Sequence, residues 1–236
     1  MFSCLGYHQE GLSVVETLMA PGQTVGKADL PALLISRYNL LSRMGRAAEA
    51  LLFLDQALQA ASDPAEKISL QIIRGRARES LGKYKEAFAD YRNAAVLDPA
   101  RISPRRGMGM IMVREKRIAD AEKEFSLVIQ KDKNDPEALL GAAYCSLALR
   151  RDRRTAGGFM SAALSKDLSR LSHPKTFKMM LTALMKDANL RTLAKSYTVN
   201  IRAIPAGPVS LVAPKDLVAV FSAARNIVAP MPAPSK

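Results

Sequence analysis

Two cysteines, two histidines and no tryptophan in 236 residues leave this chain short of the side chains that most often carry chemistry. Cys4 and Cys145 cannot build a disulfide framework. Cys145 falls among Ala142, Ala143 and Tyr144, with no histidine near it in sequence to lower its pKa, and reads as a buried apolar thiol. His8 and His173 fall in expected loop or helix-edge positions, and a metal site needs more ligands than they supply. No run of about 18 apolar residues occurs, so no membrane-spanning helix is expected. The segment 12–19 is too short, and too lightly flanked by positive charge, for a secretory signal, and a cytoplasmic location is expected. A nucleophile with an adjacent base, a metal cluster and a glycine-rich phosphate loop are all missing from the pattern. No catalytic residue, metal or cofactor is therefore assigned, and the chain is expected not to be an enzyme.

What the chain does have is small residues on a schedule. Turn residues stand at Gly45, Gly82, Lys116 and Arg150, at steps of 37, 34 and 34. A small or slot-filling residue lies 12 positions before an alanine three times: Tyr38 before Ala50, Gly75 before Ala87, and Gly109 before Ala121. The fourth case, Ala143 before Ala156, needs 13. Four residues after each alanine comes a large apolar one: Leu54, Tyr91, Phe125 and Met160. Self-similarity at a fixed period marks a repeat architecture. Its chemistry is packing, because antiparallel helices approach closely only over small side chains, while large ones must interlock with the next hairpin.

The stretch 81–99, LGKYKEAFADYRNAAVLDP, resembles the second half of a tetratricopeptide repeat, and weaker copies flank it. The resemblance covers about residues 32–167, strongest in the second repeat, good in the third, and degenerate in the first and fourth. It implies an all-α, right-handed α-solenoid of antiparallel helical hairpins with terminal capping helices. Three departures stand out. Arg78 sits where the family usually has an aromatic, Lys133 replaces the terminal proline of the third repeat, and the run 151–154 carries one extra residue, so the fourth hairpin is expected to be distorted.

The expected organisation is an N-terminal half-repeat or capping helix over 1–30, four repeats over 31–167, a degenerate fifth repeat or cap over 168–200, and a Pro/Ala-rich tail with one amphipathic helix over 201–236. Leu5, Gly6 and Tyr7 align with the turn of a repeat, followed by Gly11 in the alanine slot and Val15 in the knob slot. A simple capping helix docked on the first complete repeat is the preferred reading of this segment. Ser103-Pro104 and Asp135-Pro136 each offer a capping side chain followed by proline at the first helical position, and so open first helices. Asp63-Pro64 and Asp98-Pro99 are expected to close second helices, since proline cannot continue the ladder. Phe177, Met180, Leu181 and Leu184 mark an apolar face near the end of the array. A helix over 215–228 is expected to dock on the solenoid through the apolar face of Leu217, Val218, Val220, Phe221, Ala224, Ile227 and Val228, and the final eight residues are too rich in proline to pack.

Charge is the remaining signal: 35 Lys+Arg against 22 Asp+Glu give a formal net charge of +13. In the tetratricopeptide family the first helices line a concave groove. Slot-by-slot matching implies that Arg43, Arg46, Arg76, Lys83, Arg106, Arg114, Arg117 and Arg151 face it, opposed only by Glu79 and Glu137. Asn39, Met110 and Tyr144 occupy equivalent slots and would read a ligand by hydrogen bonds and apolar contact. Ordinary solvated charges on an exposed helix face are the competing reading. Family members that clamp a chaperone's terminal carboxylate use lysine and asparagine at slots that here hold Ile35, Asn39, Ile73, Ser103 and Gly107. Only Asn39 matches, so that clamp is rejected.

The leading function is a noncatalytic protein-interaction scaffold or adaptor whose basic groove takes an acidic segment of a partner protein. An accessory subunit of an enzyme, or of a cell-envelope or secretion assembly, is the alternative. Nucleic-acid binding ranks below both, since aromatics make up 6% of the chain and stacking platforms are scarce.

Overall fold

The computed structural model describes residues 2–20, 26, 29–150, 152–169 and 171–205, with side chains from Tyr7 onward. The expected helix over 215–228, the proline-rich tail, loop residues 21–25 and Arg151 lie outside the described residues. All regular structure among the described residues is α-helical. The helices fall into two units, one ending at Leu70 and the other beginning at Gln71.

In the first unit α1 (Phe2–Leu18) packs on α2 (Leu30–Arg43), which pairs with α3 (Ala47–Ala60). The half-repeat alignment put a turn at Leu5-Gly6-Tyr7, whereas one helix runs straight through it. A glycine inside a helix costs only about 1 kcal/mol. Burial of Leu12, Val15 and Leu18 along one face outweighs it, at about 1.5–3 kcal/mol for each fully buried side chain.

In the second unit α4 (Pro64–Ser80), from residue 71 on, meets α5 (Tyr84–Leu97) through Arg74, Gly75 and Arg78, while α6 (Ile102–Arg114) pairs with α7 (Ile118–Lys131) and α8 (Pro136–Ala148) with α9 (Arg153–Leu164). Contacts of α5 with α6 and of α7 with α8 join one hairpin to the next. Then come α10 (Pro174–Leu184), α11 (Ala188–Lys195) and α12 (Thr198–Arg202). Of these, α11 packs on α9 and α10 on the first helix α8.

All four turn residues of the sequence pattern have left-handed backbone: φ is 81° at Gly45, 78° at Gly82, 61° at Lys116 and 55° at Arg150. Such a residue ends a helix by exposing its last carbonyls to the following amides. The amides of Arg46, Lys83 and Arg117 bond back to Leu41, Arg78 and Met112, each at 2.9 Å. Beyond Arg150, in the fourth repeat, the Asp152 side chain caps α9 through the amides of Arg154 and Thr155. The hairpin keeps its packing, with Ala156 and Met160 fully buried, contrary to the distortion expected.

The large residues of the pattern are knobs in a literal sense. A Cβ built on Gly75 would lie 2.7 Å from one edge of the Tyr91 ring, and a Cβ on Gly107 2.5 Å from the other. Gly109 and Gly141 grip Phe125 in the same way. Glycine, knob and glycine each recur after 34 residues. In the first unit the volumes are exchanged: the knob register holds the smaller Leu54, and the two glycine registers hold Tyr38 and Leu70, all buried.

Proline boundaries follow the sequence in part. Asp135 caps α8 through the Ala138 amide at 2.8 Å, and Leu97 ends α5 just before Asp98-Pro99. Asp63-Pro64 opens α4 instead of closing α3, which already ends at Ala60. The Asp63 carboxylate accepts from the Glu66 amide at 2.9 Å, and proline fits the first turn, where no amide donor is needed. The helix at Ser103-Pro104 starts earlier, at Ile102, with Pro104 inside its first turn and no side-chain cap.

Gly107→Ala is expected to destabilise the protein by about 1–3 kcal/mol in urea unfolding, because Tyr91 is held at both ring edges and cannot step aside. Gly158→Ala, in open space on α9, should instead stabilise by about 0.5–1 kcal/mol. Equal effects of the two would show that the ring is not clamped.

Candidate functional site

The site grows from the Tyr91 knob. Phe125 ends at its ring, but Tyr91 carries a hydroxyl past the two glycines to Glu79 Oε2 at 3.2 Å and His173 Nε2 at 3.5 Å. His173 is fully enclosed, with Nε2 3.3 Å from Glu79 and Nδ1 3.3 Å from Glu137. Its backbone amide donates to Glu137 Oε1 at 2.5 Å. Arg106 bonds Asp135 through Nη1, sets Nε 3.0 Å from Glu137, and donates to Ser172 Oγ at 3.3 Å. Arg114 donates to Thr176 Oγ1 at 3.3 Å. The short run 172–176 therefore touches all three first helices of the second unit: α4 through Glu79, α6 through Arg106 and Arg114, and α8 through Glu137.

Electrostatics explains why this run is held. Burial alone would strip His173 of its proton, but Glu79 and Glu137 outweigh it and raise the imidazole from 6.5 to about 9. Burial likewise opposes ionisation of Glu137, yet His173 and Arg106 pull it down to about 2. Burial pushes the Arg76 guanidinium below its ordinary value, with the charge of Arg106 adding to the effect. Arg76, Arg106 and protonated His173 face Glu79, Asp135 and Glu137, three cations against three carboxylates. The pocket carries no excess charge for a ligand to neutralise. A second buried network lies beside it: Asp90 takes Arg74 at 2.5 Å and Arg78 at 2.8 Å. Arg78, the departure from the family's aromatic, is thus half of a carboxylate clamp between α4 and α5.

The residues picked out from sequence have different fates. Arg76 and Arg106 come together in the compensated pocket. Met110 is completely enclosed, at 0% exposure, and has no surface to offer. Arg114 lies over the Tyr84 ring at 4.8 Å, and Arg117 is exposed, bonded to Asp120 at 3.1 Å and near the Phe88 ring. Lys83 is exposed and Tyr144 half-buried. In the first unit Asn39 is buried, Arg43 is exposed, and Arg46 holds Glu49 through two bonds of 2.7 and 2.8 Å. Sequence reasoning missed His173, the residue that ties the pocket together. It stands 82 positions from Tyr91 and 36 from Glu137, outside the repeat schedule, so no spacing links them. Among the described residues no group of three or more His, Cys, Asp or Glu could hold a metal ion. No described helix is long and apolar enough to cross a membrane.

Neither a family model nor a curated protein matches the chain. Its fold does have solved counterparts. A tetratricopeptide repeat protein from Parabacteroides merdae superposes with a TM-score of 0.55 at 16% identity, over 96% of this chain and 89% of that one. MamA of Desulfovibrio magneticus RS-1 gives 0.54 at 16% identity, over 75% of this chain and 98% of that one. Identities this low carry the fold alone: stacked hairpins of the tetratricopeptide kind.

The pocket makes stability depend on pH. His173 is raised in the folded state, so its contribution is complete below 6.5 and is lost as pH rises through about 9. Glu137 is lowered, so its contribution is complete above 4.5 and is lost as pH falls through about 2. Urea midpoints should be highest between those limits and fall from pH 6.5 to 9, and His173→Gln should flatten the alkaline fall. A parent protein whose midpoint stays level from pH 6.5 to 9 would show that His173 is neutral in the fold.

Proposed function

We propose that this chain is a noncatalytic protein-interaction scaffold that recognises an acidic segment of another protein. The observation that carries the reading is a net charge of +13 on a framework of stacked helical hairpins. Stacked repeats offer extended surface without catalytic machinery, and an excess of cations attracts acidic partners over a distance and orients their approach. The contact set read from sequence divides accordingly. Arg76, Arg106 and Met110 are already engaged inside the second unit, so the proposed contacts there fall to Lys83, Arg114, Arg117 and Tyr144. Arg43 and Arg46 form a separate proposed patch in the first unit, where Asn39 is buried and drops out of the set, and Arg151 belongs to the set on its sequence register alone.

The test is affinity capture with the immobilised full chain, in parallel with and without nuclease and across a salt series. Captured proteins should be acidic, survive nuclease, and leave as salt rises, because solvent-open charges are screened over a Debye length of about 8 Å at physiological ionic strength. Loss of all capture after nuclease would replace this reading with nucleic-acid binding. Capture indifferent to salt would remove the acidic partner.

A further inference from the structure

Besides packing on α8, α10 lines a second feature. A cleft of about 680 Å³ opens between the start of α5, the end of α6 and Met179 of α10. That volume is in the range of small-ligand sites, about 300–1,000 Å³. Its floor is apolar: the half-buried Tyr84 ring and Met179, 38% exposed on a helix whose other large apolar residues, Phe177, Met180, Leu181 and Leu184, are buried. Methionine adapts its shape to what it meets.

The rim is cationic. Lys83 and Lys85 are exposed and form no ion pair among the described residues. Arg114 is set in place by Thr176 and by the Tyr84 ring, and it too has no carboxylate partner among the described residues. A guanidinium carries five N–H donors in a fixed fork suited to a carboxylate. Holding it in position beforehand reduces the ordering cost of binding. Glu86 and Glu115 also line the cleft, and Glu115 lies 3.5 Å from Arg117. Three cations against two carboxylates leave an excess of one positive charge. That balance suits a single carboxylate with an apolar neighbour and disfavours a polyanion, whose next charge would meet Glu86 or Glu115.

The geometry points to this cleft as the docking site for a peptide segment of a partner protein, one carboxylate on Arg114 and the lysines, and an adjacent apolar side chain on Tyr84 and Met179. This rests on the acidic-partner reading above and gives it a place and a preference.

The probes are fluorescein-labelled peptides of equal length, one alternating glutamate and leucine, one of glutamate only, and one alternating glutamine and leucine, titrated with the full chain by anisotropy at low salt. The glutamate-leucine peptide should bind most tightly. Lys83→Glu with Lys85→Glu should weaken it on the order of tenfold. Arg92→Glu with Lys133→Glu, which changes net charge equally away from the cleft, should leave it within about twofold. Met179→Ser should erase the preference over the all-glutamate peptide. Arg114→Lys, which keeps the charge but loses the fork, should weaken binding while circular dichroism stays unchanged. Equal weakening by the two double variants would overturn the cleft while leaving an acidic-partner scaffold standing, and so would tighter binding of the all-glutamate peptide. If no acidic peptide binds the parent chain, the cleft and the acidic-partner reading fall together.

Discussion

The first two hairpins of the second unit are joined to their successors by an aromatic ring passing between two helices that have no side chain to put in its way. Tyr91 and Phe125 each rise from a second helix and lodge between a glycine of their own first helix and a glycine of the next. The constraint is mutual, since a ring of that size needs both neighbours bare, and bare helices need a ring to fill the gap between them. A missing methylene leaves a cavity and an added one forces strain. The first unit meets the same constraint with the volumes exchanged, Leu54 standing in register with Tyr38 and Leu70. What the repeats hold in common is therefore a summed volume at a fixed period, and residue identity is free to move within it.

The hydroxyl that separates Tyr91 from Phe125 has consequences well beyond one hydrogen bond. It brings a polar atom through the glycine gap onto the inner face, where Glu79 and Glu137 would be costly to bury without a cation. His173 supplies that cation from outside the repeats and carries α10 with it. Burial of charge contributes little net stability by itself, because desolvation offsets most of the attraction. It does select one arrangement: with a neutral side chain at 173, two arginines would be left against three carboxylates in the pocket. The network thus specifies where α10 lies, and the apolar residues Phe177, Met180, Leu181 and Leu184 contribute most of the free energy that keeps it there.

How much of this could be read from sequence follows from how local each cause is. The four turns were legible to the residue, because a left-handed backbone and a 34-residue step leave marks within one repeat. So were the knobs and the alanines opposite them. The sense of Asp63-Pro64 was not, because proline ends one helix and begins another with equal ease, and only the three residues between Ala60 and Pro64 decide which. The half-repeat alignment, with its turn at Gly6, gave way to the capping helix for a related reason: a glycine is weaker than the apolar face that runs past it. Arg78 looked like a defect in the pattern, yet its carboxylate, Asp90, stands 12 residues on, one position before the knob. The compensated pocket was out of reach altogether, since its central histidine belongs to no repeat.

Docking of the run 172–176 on the three first helices also changes where a surface charge can matter. Arg76 and Arg106, two of the arginines that the repeat alignment turns toward the groove, spend their charge on carboxylates of the same chain. Cations farther out, such as Lys83 and Lys85, face water with no acid assigned to them among the described residues. Packing α10 against α8 thus carries out a division of labour: buried charges fix the helix, and the helix in turn offers Met179 beside the charges left over. A surface that is basic in composition becomes, at that one place, both basic and apolar, and only such a combination can prefer one acidic sequence over another.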